Sequence, residues 1–594
     1  MSTQTDQVAA SYKPWPVTVD YADYYGAATI PGVIAHIVST GRGIFLLDNE
    51  MAERRITYGE LDTRARQVAH QLRQRGVRPG DRVCLLSTTD EPLLMALFGT
   101  WYAGAAVVVL PLPGRRQPIE RYAADMRRRI EAAGATLVCV TDSFAEEFGA
   151  AFTAAGGDTE DGPVVVSLGE VTAEGGPVLD EPLPDDPDAL ALLQFTSGTT
   201  GPSRAATITH RHLLGNTCGI WTSYGVDPTD PGMIWLPLHH DMGIIGMIAV
   251  ISRGSDCVLL APEHFLNSPL CWLVAASRYR VAITTAPNFA YALAGRLLRR
   301  SSYELDLSSL RWALNGAEPI DAASLEAFVE AGARYGLNPN SPCPVYGMAE
   351  ATLAVTLRPP NTPVAVHWVD GDELTRDGRA TLVESGAPNA RKLVACGYPV
   401  PGTEIVIRGE DGTPLPEFTV GEIEIDGPGV MAGYWENKEA TDLVIVDGRL
   451  RTGDLGYLSP DGLVICGRRK DMIILNGRNL YPEEFETEAE RVHGVRSGNT
   501  IAFALPGTEH MVLVAETNRG AERAGEVAAN LLAELRRTMA VPPTEIVVCP
   551  PSTIPKTSSG KRQRGLCREL YLSGKLPVLA TAGKPARSKP AGSA

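Results

Sequence analysis

Several signals that define common protein classes are missing from this chain of 594 residues. Its ten cysteines include no CxxC pair, which argues against a zinc ribbon and against a disulfide framework. The longest apolar stretch, around IIGMIAVIS, is far shorter than the roughly 20 residues that a membrane helix needs. The N-terminus has no charged segment followed by an apolar run. We therefore predict no signal peptide, no integral membrane segment and a cytoplasmic location.

An excess of positive charge is also lacking. Lysine and arginine total 54 against 70 aspartate and glutamate residues, which gives a formal net charge of −16. A general binder of the nucleic-acid backbone carries the opposite charge, so we expect no nucleic-acid partner. An anionic ligand can bind only where the chain concentrates positive charge and backbone N–H donors.

The order of helical and apolar segments predicts an α/β fold of more than one domain. Thr57 is a helix N-cap with Glu60 as its capping-box partner, and Gly76 ends that helix. Short apolar runs then alternate with helix-like stretches, which is typical of buried strands covered by helices. These runs are DRVCLLS, GAAVVVLPL, ATLVCVTD and PVVVSL.

A loop rich in glycine and hydroxyl side chains follows a further apolar run, ALALLQF. It consists of Thr196, Ser197, Gly198, Thr199, Thr200 and Gly201, with Arg204 shortly after. Such a loop can direct N–H and O–H donors at a phosphate chain beside one cation. It is not a Walker A loop, because GxxxxGK[ST] is absent. By composition alone, the same run also fits a solvated turn.

Further motifs follow this loop in a fixed order. The whole set is LQFTSGTTGPSR, WLPLHHDMGIIG, NGAEP, YGMAEATL, RTGDLGYL, GRRKDMIILNGRNLYPEEFE and PKTSSGK. It resembles the adenylate-forming superfamily of acyl-CoA synthetases, luciferases and peptide-synthetase adenylation domains, over nearly the whole chain from about Thr57 to Arg564. Within that superfamily, HHDMG, NGAEP and YGMAEATL resemble the fatty acyl-AMP ligases more closely than ordinary CoA ligases. Where the superfamily loop continues with Pro, Lys and Gly, this chain has Ser203, Arg204 and Ala205.

The resemblance implies a large multi-layer α/β N-terminal domain over residues 1–469 and a small mobile α+β lid domain over residues 470–575. The hinge would lie at Lys470 and Asp471. The basic, proline-rich end, residues 576–594, is expected to be a disordered tail.

A long segment, about residues 357–396, corresponds to the insertion that marks acyl-AMP ligases and is thought to hold the lid away from a CoA-competent pose. An ordinary surface loop is the alternative. Its start, PVAVHWVD, has a strand-like pattern with Val364, Val366 and Trp368 on one face, which we expect to pack on the main domain.

The implied chemistry is attack of a carboxylate on the α-phosphorus of ATP, which gives an acyl-AMP and releases pyrophosphate. Lys561 matches the lysine that bridges the two anions, although Lys556 competes with it on charge alone. Glu350, with Thr196, would bind Mg²⁺. His240 matches a histidine beside the acyl pocket. We expect His239 and His240 to lie on a strand with their side chains on opposite faces, which argues against a metal shared by the two.

The resemblance also implies an ATP site. Tyr346 would stack on adenine, Gly316, Ala317 and Glu318 would line the base, Asp454 would bind both ribose hydroxyls, and Arg468 would contact ribose or phosphate. The remaining residues assigned to this site are Asn315, Gly347, Met348 and Ala349. An apolar acyl pocket would include Trp235, Ile244, Ile245, Met247, Phe289, Tyr291 and Met348, although apolar residues also serve as core.

The predicted function is therefore ATP- and Mg²⁺-dependent activation of a lipophilic carboxylic acid, either fatty, terpenoid or otherwise bulky. The acyl group would pass to an acyl carrier protein thiol or through a partner transferase. A complete acyl-CoA synthetase that uses CoA is the alternative. A non-catalytic adenylate-binding paralogue is a third reading, against which Glu350, Asp454 and Lys561 argue.

Overall fold

The structure is a computed structural model that describes residues 20–113, 118–157, 162–196, 204–475, 478–505, 508, 510–539, 541–556 and 562–584. It has the predicted α/β class, with two large mixed sheets, a smaller antiparallel sheet and a C-terminal α+β part. The helices outside the C-terminal part are Tyr21–Tyr25, Ile30–Ile37, Tyr58–Gln74, Glu91–Tyr102, Ile119–Ala133, Asp142–Ala154, Leu168–Thr172, His210–Tyr224, Asp241–Ser252, Pro262–Asn267, Cys271–Arg278, Asn288–Leu298, Ala322–Gly332, Gly371–Asp377 and Lys438–Val444.

The predicted buried strands form one sheet, whose order within the described part of the chain is Val164–Ser167, Leu137–Val140, Arg82–Leu86, Ala106–Val109, Leu190–Thr196 and Arg204–Thr209. Its strands are parallel except for the last, which returns antiparallel to Leu190–Thr196. The inner strands are buried because helices cover both faces of such a sheet. The edge strand Val164–Ser167 departs from the prediction, since Val164 is 57% exposed. The loop expected to bind phosphate therefore connects two paired strands.

The helix predicted after Thr57 spans Tyr58–Gln74, and the amide of Glu60 donates to Thr57 Oγ1 at 3.1 Å. The reciprocal half of the predicted capping box is not formed. The Glu60 carboxylate pairs with Arg54 instead, because a guanidinium within reach offers a charge-assisted bond.

A second, larger sheet carries most of the remaining motifs. In the described residues its order is Tyr398–Pro399, Ala354–Leu357, Pro342–Gly347, Trp312–Gly316, Ile283–Pro287, Gly232–Ile234, Cys257–Leu260, Gly43–Leu47 and Glu53–Thr57. The six inner strands are parallel, and the three outer ones pair antiparallel. The NGAEP and YGMAEA motifs lie at the carboxyl ends of neighbouring parallel strands, the edge where α/β sheets bind ligands.

A third sheet is antiparallel and holds the TGD motif. The strands described in it are Glu404–Arg408, Gly421–Asp426, Ile445–Val446, Arg449–Ser459 and Gly462–Arg468. Asp454 is the Cα partner of Arg468 across two of its strands. This register brings together two residues that the resemblance assigns to one nucleotide.

The C-terminal part has its own hydrophobic core, drawn from residues 473–576. Its described elements are the hairpin Ile473–Leu475 and Arg478–Leu480, the helices Pro482–Glu490, Ala521–Thr538 and Arg564–Leu572, and the sheet Val495–Ala504, Met511–Thr517, Glu545–Cys549 and Ala580–Gly583. The expected hinge, Lys470 and Asp471, lies in the turn that precedes the hairpin.

The strand Ala580–Gly583 corrects the predicted start of the tail at residue 576. It pairs antiparallel with Glu545–Cys549, and Leu576 is buried just before it. Small residues carry the same backbone donors and acceptors as any others, so weak hydrophobicity did not prevent pairing. Residues 585–594 lie outside the described part.

The insertion forms a hairpin of Val366–Asp370 with Ala390–Val394, and the helix Gly371–Asp377 follows its first strand. The predicted inward face is confirmed at Val364, which packs against buried apolar residues of the large sheet and its helices, but not at Val366 and Trp368. His367 and Val369 are buried, whereas Val366 and Trp368 are only partly so. The His367 ring can turn inward because its Nδ1 lies 3.0 Å from the Tyr457 hydroxyl and its Nε2 lies 3.0 Å from Asp461 Oδ2.

In the described parts of the chain, none of the helices combines the length and apolar character needed to cross a bilayer.

Candidate active site

Tyr346, Asp454 and Arg468 form one hydrogen-bonded group. The Tyr346 hydroxyl donates to Asp454 Oδ2 at 2.7 Å, and Arg468 Nε lies 2.9 Å from Asp454 Oδ1. Burial and the Asp454 charge raise the pKa of the Tyr346 phenol well above its usual value, so it stays a neutral donor. A carboxylate oxygen accepts more than one bond, so Asp454 can also bind the hydroxyls of a sugar.

Gly347 turns the chain from the Tyr346 strand into the short helical turn Ala349–Ala351, which carries Glu350. A Cβ at Gly347 would lie 1.9 Å from the carbonyl oxygen of Leu353, so the close backbone approach requires glycine. Met348, next along, places its sulfur 3.9 Å from the Tyr346 hydroxyl. The YGMAEA motif thus directs an aromatic ring and a carboxylate to the same edge of the sheet.

Glu350 is held by a tyrosine outside every motif recognised in the sequence. Tyr434 donates its hydroxyl to Glu350 Oε1 at 2.9 Å. Burial raises the pKa of Glu350, and the nearby Asp241 charge adds to this, while the Tyr434 bond and the Arg468 charge oppose it. Lys470, whose pKa is lowered by burial and by Arg468, also interacts electrostatically with Glu350. Two of the predicted site residues, Glu350 and Arg468, therefore share one electrostatic environment.

The ends of the predicted phosphate loop are firmly paired. Thr196 and Arg204 are Cα partners in the sheet, and the Thr196 hydroxyl donates to the Arg204 carbonyl at 3.3 Å. Ser197, Gly198, Thr199, Thr200 and Gly201 lie outside the described residues. Ala205 pairs with Phe195 inside the strand, so alanine fits there without strain. The Arg204 guanidinium lies over the Tyr434 ring, 5.3 Å from its centroid.

The sequence analysis did not identify Tyr434, whose side chain contacts both Arg204 and Glu350. The only signal was a tyrosine after Gly433 in the segment MAGYW, and a glycine–tyrosine pair is common in ordinary turns. Its contact with Glu350 spans 84 residues, so no local pattern could indicate it.

The NGAEP segment lies beside this group. Asn315 is fully buried and its amide donates to Asn288 Oδ1 at 3.1 Å. Gly316 ends the strand. Ala317 has a left-handed backbone with φ of 68°, a conformation that costs energy for a residue with a Cβ and that clusters at functional sites. Glu318 Oε1 accepts the Phe289 amide hydrogen at 2.6 Å.

His239 and His240 do not lie on a strand, which corrects the prediction. The strand Gly232–Ile234 ends before Pro237, because proline cannot extend a central strand, and His240 is the N-cap of the helix Asp241–Ser252. The two histidine rings have centroids 4.3 Å apart. Burial lowers the pKa of His239 to about 4, so it is neutral near pH 7.

The residues expected to line an acyl pocket divide into two groups. Ile244, Ile245, Met247 and Tyr291 have no exposed surface. Of the others, Met348 lies beside Tyr346, and Trp235 and Phe289 belong to one aromatic series. Trp235 stacks on Phe265 with centroids 4.5 Å apart, and Phe265 meets Phe289, which is 43% exposed, edge to face at 5.8 Å. An apolar substrate would find aromatic surface directly beside Glu318.

Lys561 lies outside the described residues, but its neighbours are firmly held. Lys556 and Arg562 form a β-bridge that closes the segment containing Lys561. Arg562 donates to Glu486 at 2.6 Å and to Glu490 at 2.7 Å, and the Glu318 charge helps to raise the pKa of Arg562. This end of the small part therefore faces the NGAEP segment. Burial and the Arg562 charge lower the pKa of Lys556.

The insertion contacts both parts of the molecule. On one side, Lys392 Nζ lies 2.7 Å from Glu326 Oε1 in the helix Ala322–Gly332. On the other, Arg391 pairs with Glu484 and Asp372 pairs with Arg478, both in the C-terminal part. The insertion thus links the two parts through three ion pairs, one to the helix Ala322–Gly332 and two to the C-terminal part.

No cluster of three or more histidine, cysteine or acidic side chains suited to a metal occurs in the parts of the chain that the structure describes. A single carboxylate such as Glu350 is nevertheless what Mg²⁺ needs beside substrate phosphates, since Mg²⁺ keeps several waters and is seldom bound by an all-protein cage. Glu350 therefore fits a magnesium–nucleotide ligand, and Thr196 stands at the start of the adjacent loop.

These elements meet in an arrangement shared with known proteins. The family of AMP-binding enzymes matches residues 38–435. The chain belongs to this family. It is an adenylate-forming enzyme, as its motifs predict, and its adenine-nucleotide ligand follows from the family.

The relatives extend the match beyond residue 435. Rv1013 of Mycobacterium tuberculosis, provisionally named a ligase, is 36% identical over 86% of this chain and 93% of its own length. JamA of Moorena producens, a medium-chain fatty acid–acyl-carrier-protein ligase, is 31% identical over 90% of this chain and 92% of its own length. A solved structure from a study of fatty acyl-adenylate ligases of E. coli and L. pneumophila superimposes with a TM-score of 0.86 and 32% identity, covering 93% of this chain and 99% of that one. Other relatives carry long-chain fatty acid–AMP ligase and acyl-CoA synthetase names.

Proposed function

We propose that this enzyme activates a lipophilic carboxylic acid as its acyl-AMP and passes the acyl group to the thiol of an acyl carrier protein. The observation that carries the proposal is the meeting of Tyr346, Asp454 and Arg468 with the Glu350 turn at one sheet edge. Fatty acyl-AMP ligases and a carrier-protein ligase among the relatives support the substrate class and the acceptor.

In the reaction, a carboxylate oxygen attacks the α-phosphorus of ATP, and the bond to the bridging oxygen breaks so that pyrophosphate leaves with its electron pair. Two anions approach each other, so aimed cations lower the barrier. Bound Mg²⁺ would neutralise phosphate charge beside Glu350. Arg204, Arg468 and Lys561 would supply the cations of the chain itself, and Tyr346 with Asp454 would hold the nucleoside.

The two ion pairs from the insertion to the C-terminal part support a carrier protein over free CoA as acceptor. A small part restrained by these pairs would rotate less readily into a pose that admits CoA. Relatives named acyl-CoA synthetases favour the second candidate, a complete acyl-CoA synthetase.

Acid-dependent exchange of pyrophosphate into ATP tests the first step. A panel of straight-chain, aromatic and fused-ring acids should give exchange with lipophilic acids and none with acetate. Mass spectrometry of products with CoA and, separately, with a holo carrier protein tests the second step. Rapid acyl-CoA formation would select the synthetase, and no exchange with any acid would reject adenylate formation.

A further inference from the structure

Tyr434 lies between two predicted site motifs and belongs to neither. Its hydroxyl donates to Glu350 Oε1 at 2.9 Å, and its ring lies beneath the Arg204 guanidinium. It is 8% exposed. One side chain thus contacts both the expected metal-binding carboxylate and the cation that ends the phosphate loop.

The backbone around Tyr434 is fixed from both sides. The Thr207 amide donates to the Gly433 carbonyl at 2.9 Å, and the Trp435 amide donates to the Ala205 carbonyl at 2.8 Å, so this segment adds to the edge of the Arg204 strand. The Met431 amide donates to the Glu350 carbonyl at 2.9 Å. Tyr434 therefore has little freedom to move relative to either the loop strand or the Glu350 turn.

A carboxylate in this setting needs such a contact. Glu350 is partly buried, and a buried carboxylate needs hydrogen-bond donors in place of the water that it loses. The Tyr434 hydroxyl supplies one such donor and fixes the rotation of the carboxylate about its last bond. Groups that hold a ligating carboxylate in this way tune the metal affinity of the site.

We infer that Tyr434 is a positioning residue for adenylate formation, orienting Glu350 through its hydroxyl and supporting Arg204 through its ring. The inference rests on the proposed function, because it assigns Tyr434 a role in the binding of the magnesium form of ATP. The inference goes beyond the proposed function because it gives one residue, Tyr434, contacts with both Arg204 and the proposed metal-binding carboxylate of Glu350.

The test compares Tyr434→Phe, which keeps the ring under Arg204 and deletes only the hydroxyl, with the wild-type enzyme. ATP binding is measured by calorimetry with and without Mg²⁺. Without Mg²⁺, we expect the ATP affinity of the variant to lie within about 2-fold of the wild-type value. The increase in ATP affinity that Mg²⁺ produces should be about 10-fold smaller in the variant, which is the effect expected from losing one hydrogen bond to a charged group. In exchange assays the Mg²⁺ requirement should rise while the KM for the acid is unchanged.

Tyr25→Phe is the matched control, since it deletes another buried hydroxyl, one that donates to Thr217 Oγ1 at 3.0 Å. It should leave the Mg²⁺ gain intact. In a Glu350→Gln background, Tyr434→Phe should have almost no further effect on that gain, because both changes act on one carboxylate.

An unchanged Mg²⁺ gain in Tyr434→Phe would overturn the inference. So would an equal loss in Tyr25→Phe, or full additivity of the two changes. These outcomes are separate from failure of the proposed function, which would appear as wild-type enzyme without acid-dependent exchange.

Discussion

The Tyr346 hydroxyl donates to the Asp454 carboxylate across 108 residues of sequence. This bond joins the large central sheet, which carries Tyr346, to the antiparallel sheet, which carries Asp454. The nucleoside half of the candidate site therefore depends on how these two sheets pack against each other.

Replacing Asp454 with asparagine should weaken ATP binding. The amide offers one acceptor oxygen where the carboxylate offers two, and Arg468 loses its partner, so we expect the KM for ATP to rise about 10-fold with a smaller change in kcat. Steady-state exchange kinetics measure both. Asp411→Asn, on an exposed turn, should leave them unchanged. An unaltered KM in Asp454→Asn would make the Tyr346–Asp454 contact structural only.

Lys561→Ala should leave ATP binding largely intact and reduce adenylate formation by roughly 10² or more, the loss expected when a cation aimed at the transition state is removed. Pyrophosphate release measures the rate of adenylate formation, and calorimetry measures the affinity for ATP. Lys556→Ala tests the competing lysine, and we expect a much smaller loss, because Lys556 lies among charges of the C-terminal part. The reverse order of effects would assign the role to Lys556.

Weakening the insertion's ion pairs should increase CoA-dependent product. The double variant Arg391→Ala, Asp372→Asn removes both insertion contacts with Glu484 and Arg478, so rotated poses of the small part should become more populated. We expect several-fold more acyl-CoA by mass spectrometry at saturating CoA and at pH 8, where Glu484 is mostly ionised. Arg376→Ala breaks only an exposed pair with Asp377 inside the insertion and is the matched control. Equal acyl-CoA yields from the two variants would exclude restraint by these pairs.

Burial raises the pKa of Glu484 to about 7, while the Arg391 charge opposes the shift and Glu483 adds to it. The folded state then holds a proton that the unfolded chain has released, so Glu484 makes the free energy of unfolding fall as pH rises from about 4.5 to 7. Glu484→Gln should flatten this part of the profile. Thermal melts at pH 5, 6, 7 and 8 measure the slope, with exposed Glu526→Gln as control. Parallel curves for wild type and Glu484→Gln would contradict the assignment.

Local signals predicted much of the fold. The helix after Thr57 and the strand before Thr196 follow from spacing and capping, which act within a few residues. The position of His240 was predicted wrongly. The apolar residues before it fit a strand, and this pattern does not show that the strand ends before Pro237. The inward face of the insertion depended on partners for His367 that come from about 90 residues away.

The candidate site could be predicted as a set of residues but not as a geometry. Motif order identified Glu350, Tyr346 and Asp454 from their resemblance to a family. The contact of Tyr434 with Glu350 required the tertiary structure, because it arises where a loop strand and a distant turn share an edge. The spacing of residues along the sequence does not indicate a contact of this kind between distant segments.

The arginines beside Lys561 have a mechanical consequence. Arg562 and Arg564 are both ion-paired to the helix Pro482–Glu490, and Lys561 precedes Arg562 in the chain. Lys561 must travel with the small part as that part turns. In the proposed mechanism, delivery of the Lys561 cation to the phosphate would depend on the orientation of the small part. A compound that wedges the two parts apart would then inhibit the enzyme without contacting its nucleotide site.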